Sequence, residues 1–205
     1  MLSKALLAVL LGAGGPMSDA RLVSSLVDAL PADGPRKDRA DQMMLYGQLV
    51  GHWQVDVYDY EPDGSRHAST GEWIFGWVLE GRAIQDVFIV PARQSGRPAS
   101  LPVARNRYGT TLRVYDPASD AWQITWINPV RQVRNTLVGR RVGQKIVQEG
   151  RDDDGSLMRW VFSEITPGSF RWRGEASSDG GRTWFLGAEF FARRAPRPYA
   201  SIKAP

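Results

Sequence analysis

The 205-residue chain contains no cysteine, two histidines and only four lysines, Lys4, Lys37, Lys145 and Lys203. Without cysteine there is no disulfide, no thiol nucleophile and no cysteine-ligated zinc. With His52 and His67 as the sole imidazoles, no H-x-x-x-H or H-E-x-x-H pair exists, and a metal centre would fall on carboxylates. Because lysine is scarce, the net charge of +4 comes almost wholly from arginine. The arginines are scattered through strand-like and turn-like segments, mostly beside acidic residues. They form neither a basic helix nor a long basic run, so no nucleic-acid partner is expected. No G-x-S-x-G, phosphate-binding glycine loop or dinucleotide fingerprint is present, and no cofactor is expected. The N-terminal apolar run, Ala5 to Leu11, is too short to span a bilayer. Preceded by Lys4, it has the look of a secretory signal, although no A-x-A cleavage site follows. The alternative is that Met17 is the start and residues 1–16 are an upstream extension. The expected location is cytoplasmic, or secreted or periplasmic if residues 1–16 act as a signal.

What the chain does have is tryptophan, eight in all, at 53, 73, 77, 122, 126, 160, 172 and 184. Rings of that size recurring along strands imply a thick core or a lined cavity. Hydrophobic content of 42% and charged content of 23% are those of a globular domain. Two helical patterns come first. "SDARLVSSLVDALP" starts on Ser18 and repeats apolar residues at Leu22, Val23, Leu26, Val27 and Leu30 until Pro31 stops it. "RADQMMLYGQLVG" sets Ala40, Met43, Met44 and Gly47 on one side, a face suited to packing across one end of the fold.

Beyond Val50 the period changes to two. Turn strings such as "EPDGS", "LEGR", "DPASD", "RVGQ", "RDDDGS" and "SDGGR" separate about ten strand-like runs. Short hairpin connections without crossover helices predict an antiparallel meander, and a meander of that many strands closes on itself to remove its edges. The fold class is therefore mainly β, a single up-and-down barrel with N-terminal helices. The expected divisions are residues 1–16, a helical segment at 17–50 capping the barrel, the barrel at 51–195 and a tail at 196–205. One connection is long, "PARQSGRPASLPVARNRYG", between the third and fourth strands.

"SSDGGRTW", Ser177 to Trp184, fits the Asp-box spelling of sialidase-like propeller blades. A propeller needs its blade repeated, and no self-similarity at blade length exists. The string instead describes a hairpin turn, with Asp179 bonded back to the turn backbone, glycines at positive φ and Trp184 packed beneath. The run Asp152-Asp153-Asp154-Gly155 likewise reads as a turn, because it lacks the alternating ligand spacing and later glutamate of a calcium loop.

The succession "LVGHWQVDV", "PDG", "EWIFGWVLEGRAIQDVFIV", "YDPASDAWQITWI", "DDDGSLMRWVFSEITPGSFRWRGE" and "EFFARR" resembles the calycin-like barrels of the DUF1579 type, distantly akin to lipocalins and nitrobindin. The resemblance covers about residues 45–195. It implies a ten-stranded barrel with a cavity and no settled reaction. Nitrobindin-like members open with G-x-W-x-G-x-G and hold haem through a late-strand histidine. Here Gln54, Val55 and Asp56 follow Trp53, and no histidine occurs after His67, so that ligation is not expected.

In a barrel alternate residues face the lumen. On that parity Trp122, Ile124, Trp126 and Asn128 face inward on one strand, Trp53, Val55 and Val57 on another, and Trp73, Phe75 and Trp77 on a third. The expected ligand-binding set is Trp53, Trp73, Phe75, Trp77, Trp122, Trp126, Asn128, Arg134 and Trp172, enclosing a small hydrophobic or amphipathic molecule. The alternative is a cofactor-independent enzyme of the cyclase, isomerase, dehydratase or hydrolase type. It would use Glu175, Glu189 or Asp86 as acid or base and Arg173 or Arg134 to stabilise developing charge. "FRWRGEAS" opposes Phe170 and Trp172 to Arg171, Arg173 and Glu175, "FLGAEFF" opposes Leu186, Ala188 and Phe190 to Phe185, Gly187, Glu189 and Phe191, and periodicity alone leaves open which side is inner. Ordinarily the charges are in water. A homodimer, or an interaction surface on the first helix and the long connection, is left open.

Overall fold

The computed structural model describes residues 25–94, 97–98 and 105–196. The expected signal-like segment, the start of the helix at Ser18 and residues 197–205 lie outside the described residues. The chain divides into two units, residues 1–30 and 31–205. Of the first, residues 25–29 are helical, and Leu30 N–H donates to the Leu26 carbonyl at 3.1 Å.

The second unit is a closed barrel of ten antiparallel strands: β1 (Gly51–Tyr60), β2 (Arg66–Val78), β3 (Ala83–Val90), β4 (Arg107–Asp116), β5 (Ala121–Asn128), β6 (Val133–Val142), β7 (Lys145–Arg151), β8 (Leu157–Ser163), β9 (Ser169–Ser177) and β10 (Phe185–Arg194). Each strand pairs with its sequence neighbours, and β10 pairs with β1, Phe190 opposite Val57, to close the ring. Closure pairs every long edge, which removes the unpaired N–H and C=O rows of an open sheet. A two-residue strand, Pro31–Ala32, adds to the end of β2, with Pro31 opposite Val78.

The turns form where the local chemistry expects them. Asp63 accepts from Ser65 N–H at 2.8 Å, Asp116 from Ala118 N–H at 3.0 Å and Asp154 from Ser156 N–H at 2.9 Å. Side-chain hydrogen bonds from Ser65, Ser119 and Ser156, with these backbone bonds second, hold the Asp63, Asp116 and Asp154 carboxyls below their ordinary range. They are short-range aspartate turns that cost the chain little to form. The Asp-box string is one of them. Asp179 accepts Arg182 N–H and Thr183 N–H, both at 2.9 Å, Gly180 and Gly181 take φ of 76° and 91°, and Trp184 Nε1 donates to the Gly181 carbonyl.

One end of the barrel is plugged. A 3-10 turn (Lys37–Arg39) leads into α1 (Ala40–Gly47), whose Met43, Leu45, Tyr46 and Gly47 are buried. Of the expected face only Met43 and Gly47 are buried: Ala40 is half-buried, Met44 is exposed, and Leu45 and Tyr46 take inner positions. Tyr46 stands edge-on to Trp122 at 4.8 Å and to Phe162 at 6.3 Å. Leu49 follows, fully buried, its carbonyl accepting from Trp53 Nε1 at 2.7 Å. Gly47 leaves room for the Trp77 ring, since a Cβ there would lie 2.5 Å from it. Each large side chain buried this way contributes roughly 1.5–3 kcal/mol.

Candidate functional site

The inner wall follows from strand parity. Trp53, Val55 and Val57 on β1, Trp73 and Phe75 on β2, Phe88 on β3, Trp122 and Ile124 on β5, Leu137 on β6, Phe162 on β8, Phe170 and Trp172 on β9 and Phe190 on β10 form one buried cluster. Trp73 lies at its centre, its ring within 6.3 Å of Phe75, Phe88, Phe162, Phe170, Trp172 and Phe190. Trp172 and Phe190 stack at 4.3 Å and 10°.

Toward the end away from α1 this packing opens into a cavity of about 360 Å³. Its apolar wall is Trp73, Phe88, Trp126, Trp160, Trp172 and Phe190. Its polar wall is Arg107, Thr111, Arg113, Asn128, Arg131, Asn135 and Asp152. The hollow exists partly because the wall carries small residues, Gly174, Ala176, Gly187 and Ala188, where neighbouring strands carry rings. A pocket of this size and mixed lining is the ordinary form of a small-molecule site.

Two buried ion pairs set its electrostatics. Deep in the wall Arg113 Nη1 donates to Asp86, both side chains at most 1% exposed, and Thr111 N–H also donates to Asp86 at 3.3 Å. The Arg113 guanidinium lies over the rings of Tyr46 and Phe75 at 5.2 and 5.4 Å. At the mouth Arg107 binds Asp59 through two nitrogens, Nη1 at 3.1 Å from Oδ2, linking β4 to β1 across β2 and β3. Breaking either pair would leave an uncompensated charge in a dry place.

Several buried polar atoms have no hydrogen-bond partner among the described protein atoms: Arg113 Nε, Trp73 Nε1, Tyr46 Oη and both amide atoms of Gln148. Gln148 and Tyr46 are fully buried. Burial pushes the Tyr46 phenol up, with the nearby Arg113 charge pulling against it. Such atoms are costly to leave unpaired, and of these four residues Arg113 and Trp73 line the cavity whereas Tyr46 and Gln148 do not.

The expected site residues are distributed as follows. Trp73, Trp126, Asn128 and Trp172 line the cavity. Trp53, Phe75 and Trp122 are buried in the plugged half, and Trp77 packs there in part. Asn128 is occupied with the fold, its Oδ1 accepting from Val130 N–H and its Nδ2 donating to the Asn106 carbonyl. Arg134 is a correction: Val133, Asn135 and Leu137 take the inner parity on β6, and Arg134 stands exposed outside. Arg173 and Glu189 are corrected likewise. Register places them opposite each other on the outer face, where Glu189 accepts from Arg171 Nε at 2.7 Å and from Tyr60 Oη at 3.2 Å. Glu175 sits at the cavity's edge beside an irregularity between Gly174 and Glu175, but its carboxylate is tied outward by Arg159 at 2.6 and 2.9 Å. Asp86 alone of the expected catalytic carboxylates faces inward.

The sequence reading missed Arg113, Arg107, Asp59, Gln148 and Tyr46. On β4 the apolar Leu112 and Val114 alternate with Thr111 and Arg113, so periodicity favours the opposite face. The usable signal was an aspartate, Asp86, inside the apolar run "AIQDVFIV", which requires a buried cation.

The outer wall carries a larger open depression of about 1170 Å³ over β7 to β9, lined by Arg159, Arg171, Arg173 and Glu175. Arg159, Arg171 and Arg173 pair there with Glu164, Glu175 and Glu189, which makes much of it a salt-bridged surface.

No family model matches the chain, and no curated protein matches it in sequence. Solved structures that share the fold include the following two. The Rv2717c protein of M. tuberculosis aligns with a TM-score of 0.52 at 13% identity, over 77% of this chain and 99% of that one. The S-type phycobiliprotein lyase CPES of Guillardia theta aligns with a TM-score of 0.51 at 9% identity, over 80% of this chain and 100% of its own. The architecture is thus a calycin-like barrel. Among the described residues no helix is long and apolar enough to cross a membrane.

Proposed function

We propose that this barrel, a member of the DUF1579-type group by the order of its sequence landmarks, binds a small aromatic or amphipathic molecule in the cavity between Trp73, Trp126, Trp160 and Trp172. The observation that carries the reading is the pairing of a ring-lined hollow of about 360 Å³ with buried donors on Arg113 and Trp73 that the protein leaves unpartnered. A filled barrel would have spent both the space and the hydrogen bonds on itself. One solved structure of the same fold is a phycobiliprotein lyase, which supports small-molecule handling as a use of this architecture.

Intrinsic tryptophan fluorescence of the full chain, titrated with a panel of apolar and amphipathic aromatic compounds, tests the reading. Saturable quenching is expected with at least one class, weakened about tenfold or more in Trp172→Ala, which removes a wall ring. A panel-wide absence of saturable change overturns it. Of the groups named for the enzyme alternative, Glu189 and Arg173 are on the outer wall and Asp86 is held by Arg113 and Thr111 N–H.

A further inference from the structure

We propose that the ligand is an aromatic carboxylic acid that enters ring first and leaves its carboxylate in the mouth of the cavity, where Arg131 receives it. The proposal rests on the cavity being a ligand site and adds the chemical class that the site selects. Five acidic or basic side chains line the hollow: Arg107, Arg113, Arg131, Asp152 and Glu175. Three of them are committed by the fold itself, Arg107 to Asp59, Arg113 to Asp86 and Glu175 to Arg159. That leaves Arg131 and Asp152, both exposed. The two are not equivalent. Asp152 Oδ1 already accepts from Asn135 Nδ2 at 3.3 Å and from Asp153 N–H at 2.9 Å. Arg131 makes no hydrogen bond or ion pair with any described residue, so its N–H fork is available to an incoming group.

The chain fixes where Arg131 stands. It lies in the turn between β5 and β6, which Val130 N–H closes on Asn128 Oδ1 at 3.1 Å and Gln132 Nε2 closes on the Pro129 carbonyl at 2.5 Å. Asn128 is buried and lines the cavity, so the backbone that carries Arg131 is anchored at the open rim. Depth then decides the orientation. Deep in the hollow a carboxylate would meet Trp73, Phe88, Trp172 and Phe190 and an arginine already neutralised by Asp86. It would lose its water there without gaining a counter-charge. At the mouth it keeps part of its hydration and meets a planar guanidinium that can give it two parallel N–H bonds. An ammonium end finds only Asp152, whose charge two donors already share, and it stands at the same mouth as the Arg131 cation. A neutral end leaves that cation as it is. The volume of about 360 Å³ lies near the lower end of the usual range for ligand pockets, about 300–1,000 Å³, which suits a small aromatic body.

Equilibrium dialysis of the full chain against naphthalene, 2-naphthamide, 2-naphthoate and 2-naphthylmethylamine at neutral pH and low salt separates the possibilities, because the four share one aromatic body. The acid is expected to bind about three- to fivefold more tightly than the amide, the worth of one exposed ion pair, and the amine less tightly than the amide. Raising the salt to about 0.5 M should shrink the preference for the acid, because a pair at the mouth is screened. In Arg131→Gln the acid-to-amide ratio should fall to about one, and in Arg131→Lys, which keeps the charge, most of it should return. An acid that binds no better than the amide overturns the proposal. So does a ratio that survives Arg131→Gln. In those cases saturable naphthalene binding still supports the cavity as a ligand site. Binding of none of the four removes both readings.

Discussion

At the residue scale the controlling fact is that Arg113 and Asp86 are buried together. Arg113→Met alone strands the Asp86 carboxylate in the core, and urea unfolding should show a loss of about 3–5 kcal/mol. Asp86→Leu combined with Arg113→Met removes both charges and should recover most of that loss. A double variant as unstable as the single one would show that packing, rather than stranded charge, sets the cost. The unpartnered atoms behave in the opposite way. Tyr46→Phe and Gln148→Met each delete buried polar atoms without opening a large void, so each should leave the unliganded protein as stable as before or raise its melting temperature. Melting curves of the two variants check this. Asp179 belongs to the fold and gives a pH signature. Bonds from Thr183, from Ser177 and from Arg182 N–H hold its carboxyl down at about 2, below its ordinary value. Because the folded value is the depressed one, its contribution is complete above about pH 4 and is lost as the pH falls through about 2. Acid unfolding of Asp179→Asn should therefore lack the part of the pH dependence that the parent shows across that window.

At the scale of elements, α1 and the strands it plugs are interlocked by glycine. A Cβ at Gly139 would lie 2.3 Å from Tyr46 Oη and 2.8 Å from Ile124 Cδ1. Gly139→Ala must therefore displace the helix ring from its seat against Trp122, at a cost of about 1–3 kcal/mol for overpacking. A lowered melting temperature together with altered indole emission is the expected outcome, and an unchanged emission spectrum would show that Tyr46 moves without disturbing Trp122. The strands divide the labour along their length. The half nearer α1 is filled by Trp53, Phe75 and Trp122, whereas the other half places glycine and alanine on β9 and β10 and stays hollow. Turns such as Asp63–Ser65 and Asp154–Ser156 sit at the open end and close by local bonds, so they ask nothing of the lumen.

At the scale of the molecule, a closed barrel with one plugged and one open end should be stabilised by whatever fills it. A ligand at a hundred times its dissociation constant should add about 2.7 kcal/mol to stability, read as a rise in melting temperature that grows with the logarithm of its concentration. A compound that quenches indole fluorescence without any such shift would be binding outside the folded lumen. Of the arginines that line the cavity, Arg107 and Arg113 are paired with Asp59 and Asp86, whereas Arg131 is exposed.

Much of this was legible from order along the chain. The period of two, the Gly, Pro and Asp punctuation and the number of strands determined an up-and-down barrel, because turn chemistry and alternation are local properties. They also showed that the Ser177–Trp184 string is a hairpin turn. What alternation could not decide was its sense. Val133, Asn135 and Leu137 could have faced either way against Arg134, and Leu112 and Val114 made the wrong face of β4 look like the core. Only closure of the ring settles that, since it turns one face of all ten strands inward at once and buries whatever polar groups lie there. The two ion pairs at the cavity, Asp86 with Arg113 and Asp59 with Arg107, join residues distant in sequence. The first forms because β3 and β4 pair with Asp86 opposite Thr111, and the second because closure of the barrel brings β1 and β4 to a shared interior; no local pattern records either.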